Sequence, residues 1–537
     1  MHISVPNSID ILIVCLYFAV TLLIGLVQRR RQQDSAQFLN ASKALPLWVA
    51  AISFLAVNCG GLEIVGLSAM SAQYGVITLH FYLVGAIPAM IFLALFMIPV
   101  YMRSRAYSVP EFLSLRFNMQ TRLLNSCCLL VASALLSGIS LYAMAQTLHI
   151  FLGWEFFPSA LTIGLLALAF LVAGGLRATI YNELLQLALI VAGLTPLAVY
   201  VLRDFHGIGG LLKSLPAGKA HLWQAMPLSS AAAPMDGIGV VMGLGFVLSF
   251  GYWCTDFRLM QRALTTRRDL NASLVPLIAA AGKLLFPLLV VVPGLAALSL
   301  FAWSSSGSIT ADNYDQALPL VIHRYYAHGL LGLGIVAILA SLMSGLAGNI
   351  AAFGSVWTQE LYRPYIAPAR PEPHYIAVGR GAMLVGLMLS LTTAFIALRF
   401  KNLMDYIQLL FSLFNAPLLA TFLLGMFTTW ATPWGGFWGL LSGIAVGVIY
   451  NIAARASWIV YAGQTTTNFH AAIYAWLTAM AVTLLISAFT RKKSKLELEG
   501  VVFAWNSGKE GRFGGLNVWG LAALLGAACV WINIWLW

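Results

Sequence analysis

The chain has 537 residues, 60% of them hydrophobic and only 9% charged, whereas soluble domains run at about 25% charged. That composition excludes a soluble globular protein and points to a polytopic membrane protein. The formal net charge of +12 invites a nucleic-acid partner, but the placement of the basic residues gives another answer.

Runs of about 20 apolar residues, enough to cross a bilayer, number fourteen: 8–28, 46–70, 75–101, 122–151, 156–174, 179–202, 236–257, 272–304, 329–358, 377–399, 403–430, 434–454, 468–490 and 515–537. With the N-terminus outside, alternate loops gather 22 of the 30 Lys and Arg on the cytoplasmic side, including Arg29–Arg31, Arg103, Arg105, Arg116, Arg122, Arg258, Arg262 and the run from Arg491 to Lys495. Seven fall outside, and Lys283 lies within a segment. This is the positive-inside pattern, and no nucleic-acid partner is expected. The first segment is preceded by no basic residue and followed by three, the reverse of a signal peptide. It is expected to stay as a helix with its N-terminus outside, which leaves the C-terminus outside too. The polar inserts hold no soluble catalytic domain, and no Gly-rich phosphate loop ends in Lys-Ser/Thr. No enzymatic activity is expected. The six cysteines (Cys15, Cys59, Cys127, Cys128, Cys254, Cys529) lie in or beside apolar segments and read as core residues.

The second segment, from Leu45 to Met70, is interrupted by Asn58-Cys59-Gly60-Gly61, with Glu63 just beyond. Lipid offers a broken helix no hydrogen-bond partners, so the interruption must face protein or water. A related break is expected near Phe250-Gly251-Tyr252, followed by Asp256, in the seventh segment. Interrupted helices at corresponding positions point to the binding site of a secondary transporter. Their spacing of five segments implies two inverted five-helix repeats, 45–203 and 236–430. Residues 1–44 form an extra helix and loop before them, 204–235 an external loop between them, and 431–537 three accessory helices after them.

Several polar residues stand out against this background. The freed carbonyls at Asn58–Gly61 suit a sodium ion, and Ser341 and Ser344 lie on one helical face at i, i+3 spacing. Those serines also suit simple bonding to their own helix. Lys283 lies too deep to snorkel easily and needs a carboxylate or substrate hydroxyl, with Glu63 and Asp256 as candidates. Glu183 stands near a cytoplasmic helix start, where a helix dipole or a function would hold it equally well. Tyr252 and Trp253 adjoin the second break. Gln408, His80 and Tyr82 suit either a polar substrate or helix packing.

Together these pieces resemble the sodium–solute symporter family, in particular its sodium–sugar (galactose/glucose) branch. The resemblance runs from about residue 10 to 490. It rests on the loop Ser35–Leu45, Val109-Pro110-Glu111-Phe112-Leu113 with Arg116-Phe117, and Gly174-Gly175-Leu176. Further along it rests on Gln261-Arg262-Ala263-Leu264, Lys283 with Pro287 and Pro293-Gly294, and Glu360-Leu361-Tyr362. It implies an all-α protein of about 14 transmembrane helices with the leucine-transporter fold, in the bacterial inner (plasma) membrane. It also implies a co-transported sodium ion, held by the carbonyls of Ala56, Cys59 and Ser341 and the hydroxyl of Ser344. A second hydroxyl is normal at the next position, which here is Gly345. Water, the Ser341 hydroxyl or proton coupling through Glu63 are the ways to fill that gap. Glu183 takes a position implied to lie on the ion's path.

For the solute, Lys283, Gln408 and the gate Tyr252 match the sugar branch, with Asn58 beside them at the break. Three positions depart: a polar residue is replaced by Glu63, an acidic one by Tyr82 and an amide by Ser249. The expected function is sodium-coupled symport of a small polar solute, a monosaccharide first, by alternating access. Proton coupling, another solute and a non-transporting substrate sensor remain the alternatives. The solute and membrane lipid are the expected partners, and the oligomeric state is open.

Overall fold

The computed structural model describes residues 6–29, 46–106, 108–224, 226–231, 233–264, 266, 269–301, 314–397, 400, 402–503 and 516–537. Among them every regular element is helical. The loop Ser35–Leu45 lies outside the described residues.

Helix α1 (Ser8–Arg29) leads into a broken pair, α2 (Leu47–Asn58) and α3 (Gly61–Tyr74). Next come α4 (Phe81–Ser104), the short α5 (Val109–Arg116), α6 (Met119–Leu152), α7 (Phe156–Asp204) and the short α8 (Ile208–Ser214). A second pair, α9 (Gly239–Thr255) and α10 (Phe257–Ala263), precedes α11 (Asp269–Leu300), α12 (Ala317–Tyr325), α13 (Leu330–Ile366) and α14 (Glu372–Ala397). The remainder is α15 (Leu403–Phe427), α16 (Pro433–Arg455), α17 (Gln464–Phe489) and α18 (Leu516–Trp535).

Among the described residues, twelve helices are long and apolar enough to cross a membrane, or thirteen with α9–α10 taken as one bent span. The expected fourteen falls short at segment 156–174. Its apolar helix Phe156–Ala169 is too short to count alone, and it runs on without a loop into the rest of α7.

The first break falls where the sequence places it. The second does not: Phe250-Gly251-Tyr252 is helical, and the chain bends by 56° at Asp256 instead. The reason is a helix cap. The Asp256 side chain accepts hydrogen bonds from the backbone N–H groups of Arg258 and Leu259 (2.9 and 3.1 Å), which starts α10 afresh.

Burial sorts the helices into a centre and a periphery. In α13, 89% of the apolar window is enclosed, against 22% in α1 and α18 and 28% in α16 and α17. Small residues allow α13 its central place. A side chain on Gly61 would overlap Leu342, so the start of α3 sits directly against α13.

Two motifs behind the resemblance act as fasteners at the arginine-rich end. Ser108 caps α5 by accepting the Glu111 N–H (3.1 Å) and donates to buried Glu360 (2.7 Å), which also holds Arg122 (2.7 Å). Arg116 is fully buried, and its guanidinium donates to the carbonyls of Gly425 (2.6 Å), Thr428 (2.9 Å) and Ala431 (3.0 Å). The first two oxygens lie at the end of α15, where a helix has no N–H groups left to pair them, and the third in the loop that follows. Arg116→Met would leave them buried without that donor, at a cost of about 3 kcal/mol. The expected result is a thermal unfolding midpoint several degrees lower in detergent, and an unchanged midpoint would reject this clamp.

Candidate functional site

The break between α2 and α3 organises the site. An uninterrupted helix would pair the Ala56 carbonyl with the Gly60 N–H. Here that N–H turns back to the Asn58 carbonyl (2.6 Å). The freed Ala56 carbonyl instead accepts the Ser344 hydroxyl of α13 at 3.4 Å. The Ser341 carbonyl lies 3.6 Å from where a Cβ on Gly60 would stand. Ala56, Cys59, Ser341 and Ser344 are all buried. The Ser341 hydroxyl bonds to its own helix, at the Ile338 carbonyl (2.7 Å).

Beside this cluster is a cavity of about 130 Å³. Its lining includes Asn58, Glu63, Tyr82, Ser249, Tyr252, Lys283 and Gln408, every solute-site and gate residue expected from the sequence. Those seven come from α2, α3, α4, α9, α11 and α15. Tyr82 sits in a wide π-type turn, Phe81–Ala86, of a kind common at functional sites. Pro287 in α11 lacks the N–H that would pair the Lys283 carbonyl, which loosens the helix next to that lysine.

The charges in the cavity are paired. Lys283, 1% exposed, forms an ion pair with Glu63, 13% exposed. The other Glu63 oxygen accepts the Tyr82 hydroxyl at 2.7 Å. The lysine ammonium also lies near the rings of Phe286, Trp253 and Tyr82, at 5.1, 5.6 and 5.8 Å. Asp256, the other candidate partner, is not used here: besides capping α10 it pairs with Arg258 at 3.4 Å.

One wall is aromatic. The Tyr252 ring stacks on Phe411 (4.8 Å between centroids), and its hydroxyl accepts the Asn58 amide at 2.9 Å. Two buried amide oxygens, Asn58 Oδ1 and Gln408 Oε1, have no hydrogen-bond partner. Besides these acceptors the lining holds the Ser249 hydroxyl, the Asn349 side chain and the proton of the Tyr252 hydroxyl, so the cavity presents uncharged polar groups of both kinds.

Glu183 lies apart from the cavity. It pairs with Arg262 of α10 (2.5 Å) and accepts the Ser53 hydroxyl of α2 (2.9 Å), all fully buried. This network ties α2, α7 and α10 together, so the acid needs no helix dipole to hold it. The sequence reading missed Arg258, Asn349 and Phe411, which also line the cavity. Arg258 looked like one more basic loop residue, and nothing local marks the other two.

A family model described as sodium:solute symporter family matches residues 38–443. The sodium/glucose cotransporter of Vibrio parahaemolyticus is 27% identical over 458 residues, covering 82% of this chain and 84% of that protein. The sodium/mannose cotransporter SLC5A10 of Bos taurus is 28% identical over 476 residues, covering 82% and 78%. Sodium/myo-inositol cotransporter 2 of Oryctolagus cuniculus is 28% identical over 480 residues, covering 82% and 69%. Among solved structures, a Na+-coupled sialic acid symporter in a substrate-bound outward-open state superposes with a TM-score of 0.77 at 19% identity, over 91% of this chain and 99% of that one. The nucleobase-cation-symport-1 transporter MHP1 follows at 0.54 and 12% identity, over 88% and 99%. These two likenesses speak to the fold, which is that of the leucine-transporter group. With the family model spanning most of the chain and a broken-helix site at its centre, this integral membrane protein belongs to the sodium:solute symporter family and is a transporter, not an enzyme.

Proposed function

We propose that this protein couples an inward sodium gradient to uptake of an uncharged polyhydroxylated solute of the monosaccharide or cyclitol class. The observation that carries the solute reading is the self-neutralised cavity: Lys283 is spent on Glu63, and the open groups, among them the acceptors Asn58 Oδ1 and Gln408 Oε1, are uncharged. Hydroxyl groups donate to acceptors, and a sugar face stacks on an aromatic wall such as Tyr252 and Trp253. A zwitterion would need the ammonium and the carboxylate free, and here each holds the other. The names of the relatives (glucose, mannose, myo-inositol) fall in the same chemical class.

Sodium is read at the freed Ala56 and Cys59 carbonyls, the Ser341 carbonyl and the Ser344 hydroxyl. Glu183 with Arg262 stands toward the arginine-rich end, on the ion's way out. Glu63 serves as the lysine's counterion, which removes it as a free proton carrier and favours sodium coupling. The repeats 45–203 and 236–430 then rock about this site, with ion occupancy favouring the solute-binding state.

The charge balance is directly testable by uptake into proteoliposomes. The wild type is expected to accumulate a neutral hexose or inositol and to exclude hexuronates and hexosamines. Glu63→Gln strands a buried cation and should lower neutral-solute uptake efficiency about 100-fold while admitting hexuronate. Lys283→Met should shift preference toward hexosamine. A wild type that prefers a charged solute would overturn this reading.

The ion site has its own test. Ser344→Ala should raise the half-saturating sodium concentration about tenfold. Unchanged sodium dependence, or accumulation driven by a proton gradient alone, would reject the site.

A further inference from the structure

Gly345 follows Ser344 on α13, beside the helix break, and has no side chain to offer. A Cβ built on it meets one residue only: Ser140 of α6, with the hydroxyl oxygen 3.0 Å away and the Ser140 Cβ at 4.0 Å. Ser140 is fully buried. Its hydroxyl donates its proton to the Leu136 carbonyl at 3.2 Å, which leaves the oxygen lone pairs directed elsewhere. The Gly345 Cα lies 3.7 Å from a Cβ placed on Gly60, and the Ser341 carbonyl lies 3.6 Å from the same point. Ser344 Oγ is already on the Ala56 carbonyl. Oxygen atoms of α13 and α6 thus flank two neighbouring glycines, Gly60 and Gly345, at the break in α2 and α3.

We propose that Ser140 supplies the hydroxyl ligand for sodium that position 345 lacks, so that the ion is held by α2, α13 and α6 together. This rests on the sodium site read above. Ser341, the replacement nearest in sequence, bonds back to its own helix just as Ser140 does; what sets Ser140 apart is that its oxygen faces the place where a side chain at 345 would begin. Moving a ligand from α13 to α6 has a mechanical consequence. The ion then ties a third helix to the break, and α6 also supplies Leu136 to the wall of the solute cavity. Sodium binding therefore positions that wall as well as the break. If Ser140 were only bonding back to its own helix, as membrane serines often do, removing its hydroxyl would leave sodium binding untouched.

The test is a sodium titration of thermal stability on the purified full-length protein, at constant ionic strength with choline replacing sodium. It compares wild type, Ser140→Ala, Ser344→Ala, Gly345→Ser and the double variant Ser140→Ala/Gly345→Ser. Ser140→Ala should raise the half-saturating sodium concentration about tenfold while leaving the sodium-free midpoint unchanged. The double variant should recover most of the loss, because it returns a hydroxyl from the other helix with the Ser140 oxygen out of its way. If Ser140→Ala does not fold, Ser140→Cys keeps the shape with a soft sulfur and should show the same shift. A wild-type titration for Ser140→Ala alongside a shifted Ser344→Ala overturns the role of Ser140 alone. Unshifted titrations for both place the ion elsewhere and overturn the site together with this ligand.

Discussion

A helix crossing hydrocarbon has to satisfy its own backbone, and a chain that declines to do so must enclose the place where it fails. Much of this structure follows from that constraint at Asn58–Gly61. Turning the Gly60 N–H back to Asn58 frees the Ala56 carbonyl, and the enclosing element is α13, the most deeply buried span. Glycine at 61 lets α13 approach closely enough to bring Ser344 onto that carbonyl. The same interruption starts a new helix with Glu63 in its first turn, where the helix dipole favours a carboxylate. One local break therefore faces both an oxygen cluster and a polar cavity, so whatever fills one is felt by the other.

Set against what the resemblance implies, the cavity keeps one acid on a different carrier. The resemblance to the sugar branch places an acid at position 82 and a neutral polar residue at 63, whereas this chain has Tyr82 and Glu63. The two side chains touch, hydroxyl to carboxylate at 2.7 Å. The exchange therefore moves the carboxylate one side chain over, from α4 to α3, and leaves one acid facing one lysine. A buried ammonium without that partner would be costly. This is the physical reason the departures at 63 and 82 belong together. The proposed move of an ion ligand from 345 to 140 has the same form: a group leaves one helix and its equivalent comes in from a neighbour.

What could be read from the sequence was local chemistry under a strong constraint. Asparagine and two glycines inside an apolar run leave few alternatives to a break, and a lysine eleven residues deep needs a partner, which Glu63 proved to be. The bend at Asp256 was also legible, since aspartate before a basic, amphipathic stretch is a helix-capping signal; Phe250-Gly251-Tyr252 drew attention away because glycine beside aromatics looks weak. In the structure those residues are held in a continuous turn of α9, with Tyr252 stacked on Phe411. The unbroken helix through 156–204 was not legible, because apolar periodicity cannot tell a short loop from continued helix. Ser140 was beyond reach for a different reason: its relation to Gly345 exists only once α6 and α13 pack, about 200 residues apart in the chain.

The central claim is that the ion and the solute share one broken helix, so their binding must be linked. The direct measurement is solute affinity by calorimetry at a series of sodium concentrations, paired with sodium affinity at a series of solute concentrations. The account predicts that each ligand tightens the other by the same factor, as linkage requires of two sites on one structural element. Solute affinity that is independent of sodium would contradict it.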